Sequence, residues 1–577
     1  MPGTLSDEIG DRWDILYGFD HTVFASQRNI SRKELTRRAH KVNQIEGLSS
    51  LDQWDLNYVV KDNNDFTAFW PEYGSSVTIA ERKKVYDSTG VFYYLEETNS
   101  DEANSVEADR RNGILGHFYK SDANFFEINT ENFQLRANPI LNLRYGEALD
   151  DPNIIFQNTR GAEIRGLIDN NIYFYSNILE NQARFNNYLE ARIDNFRTIG
   201  GQGFYKEYNS GVIEDLQGYD YLNAQAYVGM NVTKSVAIEL GHGKHFIGNG
   251  IRSMILSDYS NNYFYLKFNT RIWKLHYQNV FAELAPITTK LNSGNTALSK
   301  KYMANHYLAF RPNHNFEFGI FETVVFSRED RFEFQYLNPV ILYRTVEQFL
   351  DSPDNVLIGL NAKWNIKNRF QVYGQLMLDE FKLGELTAGD GWWANKYGIQ
   401  LGTKYINAFG VDHLDLQLEY NRARPFTYAH RDSLTLFPEF STASYSHHSQ
   451  PLAHPLGSNF SELLMNFRYR IGQKVFVNGR IITARYGQDP ENVNFGGNIL
   501  KITESREGDY GHSTGQGIET NMISLGLDVS YVLFHNYFVD FNFLYRNADA
   551  EVDELDINTL YIGGGLRVNL GNIISDY

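Results

Sequence analysis

Residues 458–570 repeat one pattern that few folds can accommodate. Apolar and polar side chains alternate along the paired runs 463–471 and 474–486, which a two-residue turn separates. Because successive residues of a β-strand point to opposite faces, one face of each run is apolar and the other carries arginines such as Arg468 and Arg480. A protein core does not accept unpaired arginines. The pattern therefore predicts a wall that is apolar outside and wet inside, as in a transmembrane β-barrel.

Similar segments follow one another from residue 117 to residue 570, and we count 20, among them 117–128, 133–145 and 187–198. From residue 187 onward, short turns alternate with long loops; for example, the turn at 472–473 lies between loops 426–459 and 488–520. Barrels of the outer membrane have short periplasmic turns and long outer loops. We therefore expect both termini on the periplasmic side. A soluble β-sandwich or propeller does not predict this strict alternation.

The predicted fold class is all-β: a transmembrane antiparallel up-and-down β-barrel of 18–20 strands with a mixed, partly helical N-terminal region. We expect residues 1–115 to form this periplasmic or plug region and residues 116–577 to form the barrel. Within the first part, Ser31 and Glu34 have the spacing of a helical capping box, followed by the helix-compatible run 35–45. A plain soluble cap is the alternative to a plug.

Composition supports a barrel and excludes several other classes. No apolar run approaches the roughly 20 residues that a membrane helix needs, which excludes a helical membrane protein. The net charge of −17 argues against nucleic acid as a partner. The absence of cysteine removes thiolate metal sites and cysteine nucleophiles. Residues 1–7 do not form a signal peptide, which an outer-membrane protein of a Gram-negative bacterium requires, so we expect the leader to have been cleaved or replaced.

Three stretches resemble a known family. They are residues 241–258, which begin Gly-His-Gly-Lys-His-Phe-Ile-Gly-Asn-Gly, residues 334–347, which begin Phe-Gln-Tyr-Leu-Asn-Pro, and residues 160–166. They resemble the Wzi-like capsule-assembly family of outer-membrane barrels and its RemB-like relatives in gliding bacteria. The resemblance implies an 18-stranded barrel with a helical plug that holds capsular polysaccharide without catalysing a reaction. It implies no particular ligand-binding residue.

Two segments are predicted to lie at the mouth of the lumen. Gly248, Asn249 and Gly250 stand at the outer end of a strand and open a loop that reaches Asp258, and glycine there permits a sharp turn. We interpret this segment as a loop folded near the mouth, with a binding site as the alternative. The other segment, 334–347, contains Pro339 and Arg344 within an outer loop. We hypothesise that it packs inside the barrel and narrows it.

Two outer loops carry candidate ligand-binding residues. One loop places the aromatic rings of Trp392 and Trp393 beside the carboxylate of Asp390, a combination that binds sugars. The rings are equally consistent with anchors at the membrane interface. Loop 426–459 adds Tyr428 and Arg431 as candidates. It also contains a histidine cluster, which we interpret as part of a solvated loop without a formed metal site; its members are His430, His447, His448 and His454.

The sequence predicts a non-enzymatic protein without cofactors, because neither a Gly-x-Ser-x-Gly motif nor a paired-acid signature stands out. Charges expected to face the lumen, such as Glu190, Arg192 and Asp194, fit a structural role. The favoured function is to bind or organise surface polysaccharide, with membrane lipid as the other partner. One alternative is a subunit of a surface-protein machine for gliding or secretion, with envelope proteins as partners. A second alternative is a diffusion porin.

Overall fold

The structure, a computed structural model, describes most of the chain. The described residues are 4–18, 24, 26–28, 30–67, 82–86, 92–96, 118–169, 171–211, 216–286, 300–328, 332–340, 342–350, 352, 354–431, 441–491, 493–572 and 576–577. In this part of the chain, no helix has the length and apolar character required to cross a membrane.

Eighteen long antiparallel strands form a closed barrel, in which the last strand pairs with the first. The predicted fold class is therefore confirmed. The strands are β1 Phe133–Ala148, β2 Asp151–Ile168, β3 Ile172–Arg184, β4 Gln217–Asn231, β5 Val236–Gly243, β6 Tyr263–Ile272, β7 Leu275–Leu284, β8 Lys301–Phe310, β9 Phe316–Phe326, β10 Asn355–Ile366, β11 Phe370–Leu378, β12 Tyr397–Tyr405, β13 Leu414–Ala423, β14 Phe460–Ile471, β15 Val475–Gln488, β16 Ile518–Phe534, β17 Tyr537–Ala550 and β18 Ile557–Val568.

The count of 20 was wrong for two segments. In place of the predicted strand 117–128, the described residues 118–129 contain only the short strand Phe126–Asn129, which pairs with β1 without becoming a wall strand. Residues 187–198 form a helix, Asn187–Phe196, in place of a strand. Glu190, Arg192 and Asp194 are therefore helical and not part of an alternating wall. Removing these two segments leaves the 18 strands that the family resemblance implied.

The two faces of the wall differ as the alternation predicted. On β17, Val539, Phe541 and Tyr545 are exposed on the outside, whereas Asp540 and Arg546, at alternate positions of the strand, are buried on the lumen side. Exposed apolar side chains in this arrangement form the belt that contacts lipid in a membrane barrel. The wall is thus a transmembrane one.

Connections at the two ends of the barrel differ in length. Short turns at one end join β2 to β3, β4 to β5 and every later even-numbered strand to its successor; we call this the turn end. Long connections leave the opposite end, which we call the loop end. The exceptions at the loop end are the two-residue link between β1 and β2 and the six-residue link between β17 and β18. The loop end also carries three helices: α5 Asn187–Phe196, α6 Tyr343–Leu350 and α7 Leu383–Ala388.

Four N-terminal helices lie inside the turn end of the barrel. They are α1 Leu5–Tyr17, α2 Arg32–Asn43, α3 Ser50–Asp62 and α4 Asn64–Thr67. Ser31 caps α2 by accepting a hydrogen bond from the Glu34 amide at 3.2 Å. Trp13, Val42 and Val59 have no exposed surface and belong to the apolar core that α1, α2 and α3 share. We refer to these four helices as the plug. Short paired strands, Arg82–Tyr86 and Phe92–Glu96, follow it in the chain.

Candidate functional site

Buried ion pairs hold the plug to the wall. Asp14 of α1 lies 3.2 Å from Arg311 and also pairs with Lys363, and none of these three side chains is exposed. Glu317 lies 4.0 Å from Arg311 and completes a balanced cluster of two acids and two bases. Burial raises the pKa of Asp14, but the charges of Lys363 and Arg311 outweigh burial and hold that pKa below its usual value. This cluster fixes α1 against β8 to β10.

Further polar contacts join the plug to other strands. Asp11 accepts from Lys404 of β12 at 2.6 Å, and Arg12 pairs with Asp415 of β13. Asp55 of α3 pairs with Arg470 of β14, and Asp65 lies 3.5 Å from Arg165 of β2. The contacts thus reach from β8 to β14 and continue at β2. A space remains beside β1 to β7 and β15 to β18.

Asp52, Asp55 and His413 place one ligand atom each within 4.8 Å of one another, a spacing that a metal ion can use. These side chains already pair with one another and with neighbouring residues. His413 Nε2 lies 3.1 Å from Asp55, and His413 Nδ1 lies 2.9 Å from Asp412. Arg470 also pairs with Asp55. These contacts describe a plug-to-wall ion-pair cluster, and the expectation that the protein uses no metal stays a prediction.

Residues 244–262, the link between β5 and β6, fold into the centre of the lumen. The amides of Ile251 and Arg252 donate to Glu419 of β13 at 2.7 and 3.0 Å. Gly248 has a φ of 142°, and its amide donates to the carbonyl of Ser26 at 2.6 Å. Asn249 and Gly250 are buried with it. We call residues 244–262 the inward loop. It lies deeper in the lumen than the mouth, where the sequence analysis placed it.

Asp258 marks the end of the inward loop that borders the cavity. Its neighbour Ser257 donates its amide to the carbonyl of Leu452 at 2.8 Å, which joins the inward loop to the long connection between β13 and β14. That connection is folded in its described part, residues 424–431 and 441–459. It does not form the solvated histidine loop that the sequence suggested, because His447 and His454 are buried. His454 Nε2 lies 3.0 Å from Glu462 of β14.

A cavity of about 1470 Å³ lies between the plug, the inward loop and the inner faces of strands β1 to β7 and β15 to β18. Its described lining includes ten arginines and four lysines against five aspartates and two glutamates, although the whole chain has 53 basic and 70 acidic residues. The lining extends from Lys234 in a short turn to Gly201 at the loop end. Burial lowers the pKa of Lys244, which borders the cavity, to about 8. Sequence periodicity did not indicate this asymmetric lumen.

Asp390, Trp392 and Trp393 lie together at the loop end. The carbonyl of Asp390 accepts from the amide of Gly511 at 2.8 Å, and the amide of Trp393 donates to the carbonyl of Asp509 at 2.9 Å. The two segments therefore form one layer. Both indole rings are half-buried and Asp390 is exposed. A sugar-binding or membrane-anchoring role for the rings stays a prediction.

Cations cover part of both rings. The guanidinium of Arg506 stands 4.1 Å from the centre of the Trp393 ring, and Lys382 stands 5.2 Å from that of Trp392. Sequence analysis missed Arg506, because it lies more than a hundred residues away. The layer thus combines aromatic rings, cations and the carboxylates of Asp390 and Asp509.

The remaining predicted ligand-binding residues separate in the structure. Arg431 keeps 71% of its side chain exposed and lies 3.4 Å from Glu504. Tyr428 is fully buried, and its hydroxyl donates to the carbonyl of Met254 at 2.7 Å. Tyr428 therefore has no exposed surface with which to contact a ligand in this structure. It supports the inward loop.

The hypothesis that residues 334–347 narrow the lumen was wrong. Residues 332–340 and 342–350, which we call the outer flap, pack on the outside of the wall. The Tyr343 ring packs at a tilt against His306, whose side chain leaves β8 on the outer face, with ring centres 4.0 Å apart. Arg344 donates its amide to Glu322 of β9 at 3.2 Å. The carbonyl of Pro339 accepts from the hydroxyl of Tyr277. Pro339 and Arg344 thus belong to an external element.

Fold and site together define a transmembrane β-barrel whose lumen is filled by a helical plug and an inward loop. A scan against models of protein families finds no match, and a search of curated proteins finds no similar sequence.

Solved structures share the fold at low sequence identity. One is Wzi, described as an outer membrane protein involved in group 1 capsule assembly in Escherichia coli and as a carbohydrate-binding β-barrel; the match has a TM-score of 0.54 and 12% identity and covers 98% of each chain. OprD of Pseudomonas aeruginosa matches at a TM-score of 0.40 with 10% identity, over 76% of this chain and 96% of that chain. At such low sequence identity, the likeness shows the fold alone. The likeness to RemB-like relatives stays a prediction.

Proposed function

We propose that this chain is an outer-membrane β-barrel of a Gram-negative bacterium that binds or organises capsular or other surface polysaccharide and catalyses no reaction. In the proposed orientation the turn end and both termini face the periplasm, with residues 1–115 as an N-terminal periplasmic or plug region and residues 116–577 as the barrel. The observation that carries the proposal is the folded layer at the loop end, where Trp392 and Trp393 stand among cations and carboxylates. The fold likeness to Wzi, a carbohydrate-binding barrel, supports it.

The chemistry of the layer suits an acidic glycan. Sugar C–H faces pack on indole rings, while carboxylates and amides hydrogen-bond to hydroxyl groups. Arg506 and the exposed Arg431 are cations of this surface, although the chain as a whole carries a net charge of −17. Arg506 pairs with Asp509 at 2.6 Å and Arg431 lies 3.4 Å from Glu504, so a sugar acid would take the place of these carboxylates. Because an arginine is planar and always charged, it matches a carboxylate with two parallel hydrogen bonds.

Binding to the producing cell's own surface polysaccharide tests the proposal. Reconstituted protein should retain the polymer on a sensor surface, and Trp392→Ala should weaken retention about tenfold, as expected when a ring that contributes roughly 1.4 kcal/mol is lost. Leu386→Ala is the matched control, because Leu386 is 38% exposed on α7 in the same connection. Equal polymer retention by empty liposomes and by the protein would end the proposal. A deletion strain should shed polysaccharide into the medium.

A diffusion porin is the second candidate, and the cavity of about 1470 Å³ is the observation that favours it. A planar bilayer separates the two functions. Polysaccharide binding with a filled lumen predicts no large steady current. A large, steady and voltage-independent current through the native protein would establish a porin.

A further inference from the structure

The outer flap covers a polar patch on the outside of the wall. Glu322 of β9 stands opposite His306 of β8 in the strand register, and His306 stands opposite Asn279 of β7. All three side chains leave the barrel on its outer face. They are nevertheless buried, because Tyr343, Arg344 and other flap residues lie over them.

The lipid-facing belt is too short on this side without the flap. On β9, Phe316 and Ile320 are exposed, and Glu322, the next outward residue, is already beneath the flap. The exposed outward run from 316 to 320 spans roughly 13 Å along the strand, whereas the apolar band of a membrane barrel is about 25 Å tall. On β8 and β10, the exposed Leu308 and Ile358 are likewise followed by covered residues. The flap must therefore provide the remaining height of the apolar band over β8 to β10.

Most of the surface that the flap presents outward is apolar, although Gln335, Asn338 and Arg344 are also exposed. Val340 is 83% exposed, Phe334 and Phe349 are each 77% exposed, and Leu342 is 65% exposed. The inner side of the flap packs on the wall through Tyr336, Tyr343 and Val346. In hydrocarbon, a backbone carbonyl without a partner is costly. The wall supplies hydrogen-bond donors to the flap, since the Tyr277 hydroxyl and the Asn279 side chain both donate to the carbonyl of Pro339.

We propose that the outer flap lies within the membrane and completes the lipid-facing belt of the barrel over β8 to β10. Lipid acyl chains are the occupant, because the exposed flap residues continue the belt of exposed apolar residues on three adjacent strands. The flap lies toward the loop end, so it enters the leaflet on that side.

Site-directed spin labelling tests the immersion of the flap. The chain has no cysteine, so Val340→Cys and Phe349→Cys each give a unique site on an exposed residue. In liposomes, collisions of the label with oxygen and with a water-soluble nickel chelate distinguish the surroundings. We expect oxygen collisions at least five times more effective than nickel collisions at Val340→Cys, as at the wall control Ile320→Cys.

The water control is Glu507→Cys, an exposed residue of the link between β15 and β16. A label at position 340 that behaves like this control would show that the flap is in water and would overturn the proposal. Low accessibility to both reagents would also overturn it, because it would mean that a protein, such as a second copy of this chain, covers the flap. Phe349→Cys provides an independent second position.

Discussion

Removing the charge of Asp14 should loosen the plug more than any other single change in α1. The cluster contains two acids, Asp14 and Glu317, and two bases, Arg311 and Lys363, all without exposed side chains. Asp14→Leu leaves both bases sharing Glu317, so one positive charge is buried without compensation. Breaking a buried pair in this way costs roughly 3–5 kcal/mol. The ratio of docked to undocked plug should fall by about two to three and a half orders of magnitude.

A second variant separates charge from shape. Asp14→Leu combined with Lys363→Met leaves Arg311 and Glu317 as one balanced pair, and apolar replacement of a buried pair is often close to neutral. We expect this double variant to recover most of the loss. The stability that the double variant recovers then measures the cost of the unpaired charge and not that of the missing aspartate.

Hydrogen exchange monitored by mass spectrometry measures how well the plug amides are protected, and so reports on plug docking. Amides of α1 Leu5–Tyr17 should exchange faster in Asp14→Leu, and those of the hairpin β16–β17 should not change. The reasoning would be refuted by unchanged exchange in α1, or by a double variant as damaged as the single one. Acid should also loosen the plug. Because the pKa of Asp14 is lowered in the folded protein, its contribution to the stability of the docked plug is complete above pH about 4 and declines below it.

Three further changes have defined outcomes. A Cβ at Gly250 would stand 2.8 Å from Gln400 Nε2, so Gly250→Ala should destabilise the inward loop by roughly 1–3 kcal/mol in thermal unfolding, unlike Gly384→Ala, which meets open space. Burial and then nearby cations lower the pKa of His448 to about 4; the unfolded loop binds more protons below pH about 6.5, so proteolysis of residues 441–459 should accelerate from pH 6.5 to 4, and His448→Gln should weaken this dependence. Burial lowers the pKa of Lys244, so unfolding midpoints should rise between pH 8 and 10, and Lys244→Met should remove that rise.

The wall was predictable because its signals are local. Period-2 alternation and turn lengths depend on neighbouring residues, and they placed almost every strand. The error at 187–198 has a physical cause: Leu189, Ile193 and Phe196 fit a helical spacing, while Glu190, Arg192 and Asp194 fit an alternating one. A ten-residue run is too short to separate the two periods.

The side on which an outer loop folds was not predictable from the loop itself. Residues 334–347 are apolar enough to enter either the lumen or the membrane. The decisive signal lies in the wall, where Asn279, His306 and Glu322 place polar groups on the outer face of three adjacent strands. Such a ladder needs a cover, but it becomes visible only when the strand register is known. Arg506 beside Trp393 was missed for the same reason, because their contact joins distant loops.

The plug and the inward loop are coupled, which bears on what the lumen can do. The carbonyl of Ser26 accepts from the amide of Gly248, and the amide of Arg28 donates to the carbonyl of Phe246 at 3.2 Å. The segment between α1 and α2 therefore extends the backbone hydrogen bonding of the inward loop. Movement of the plug must break these bonds or pull the loop with it. A path through the centre of the barrel thus requires both elements to move together.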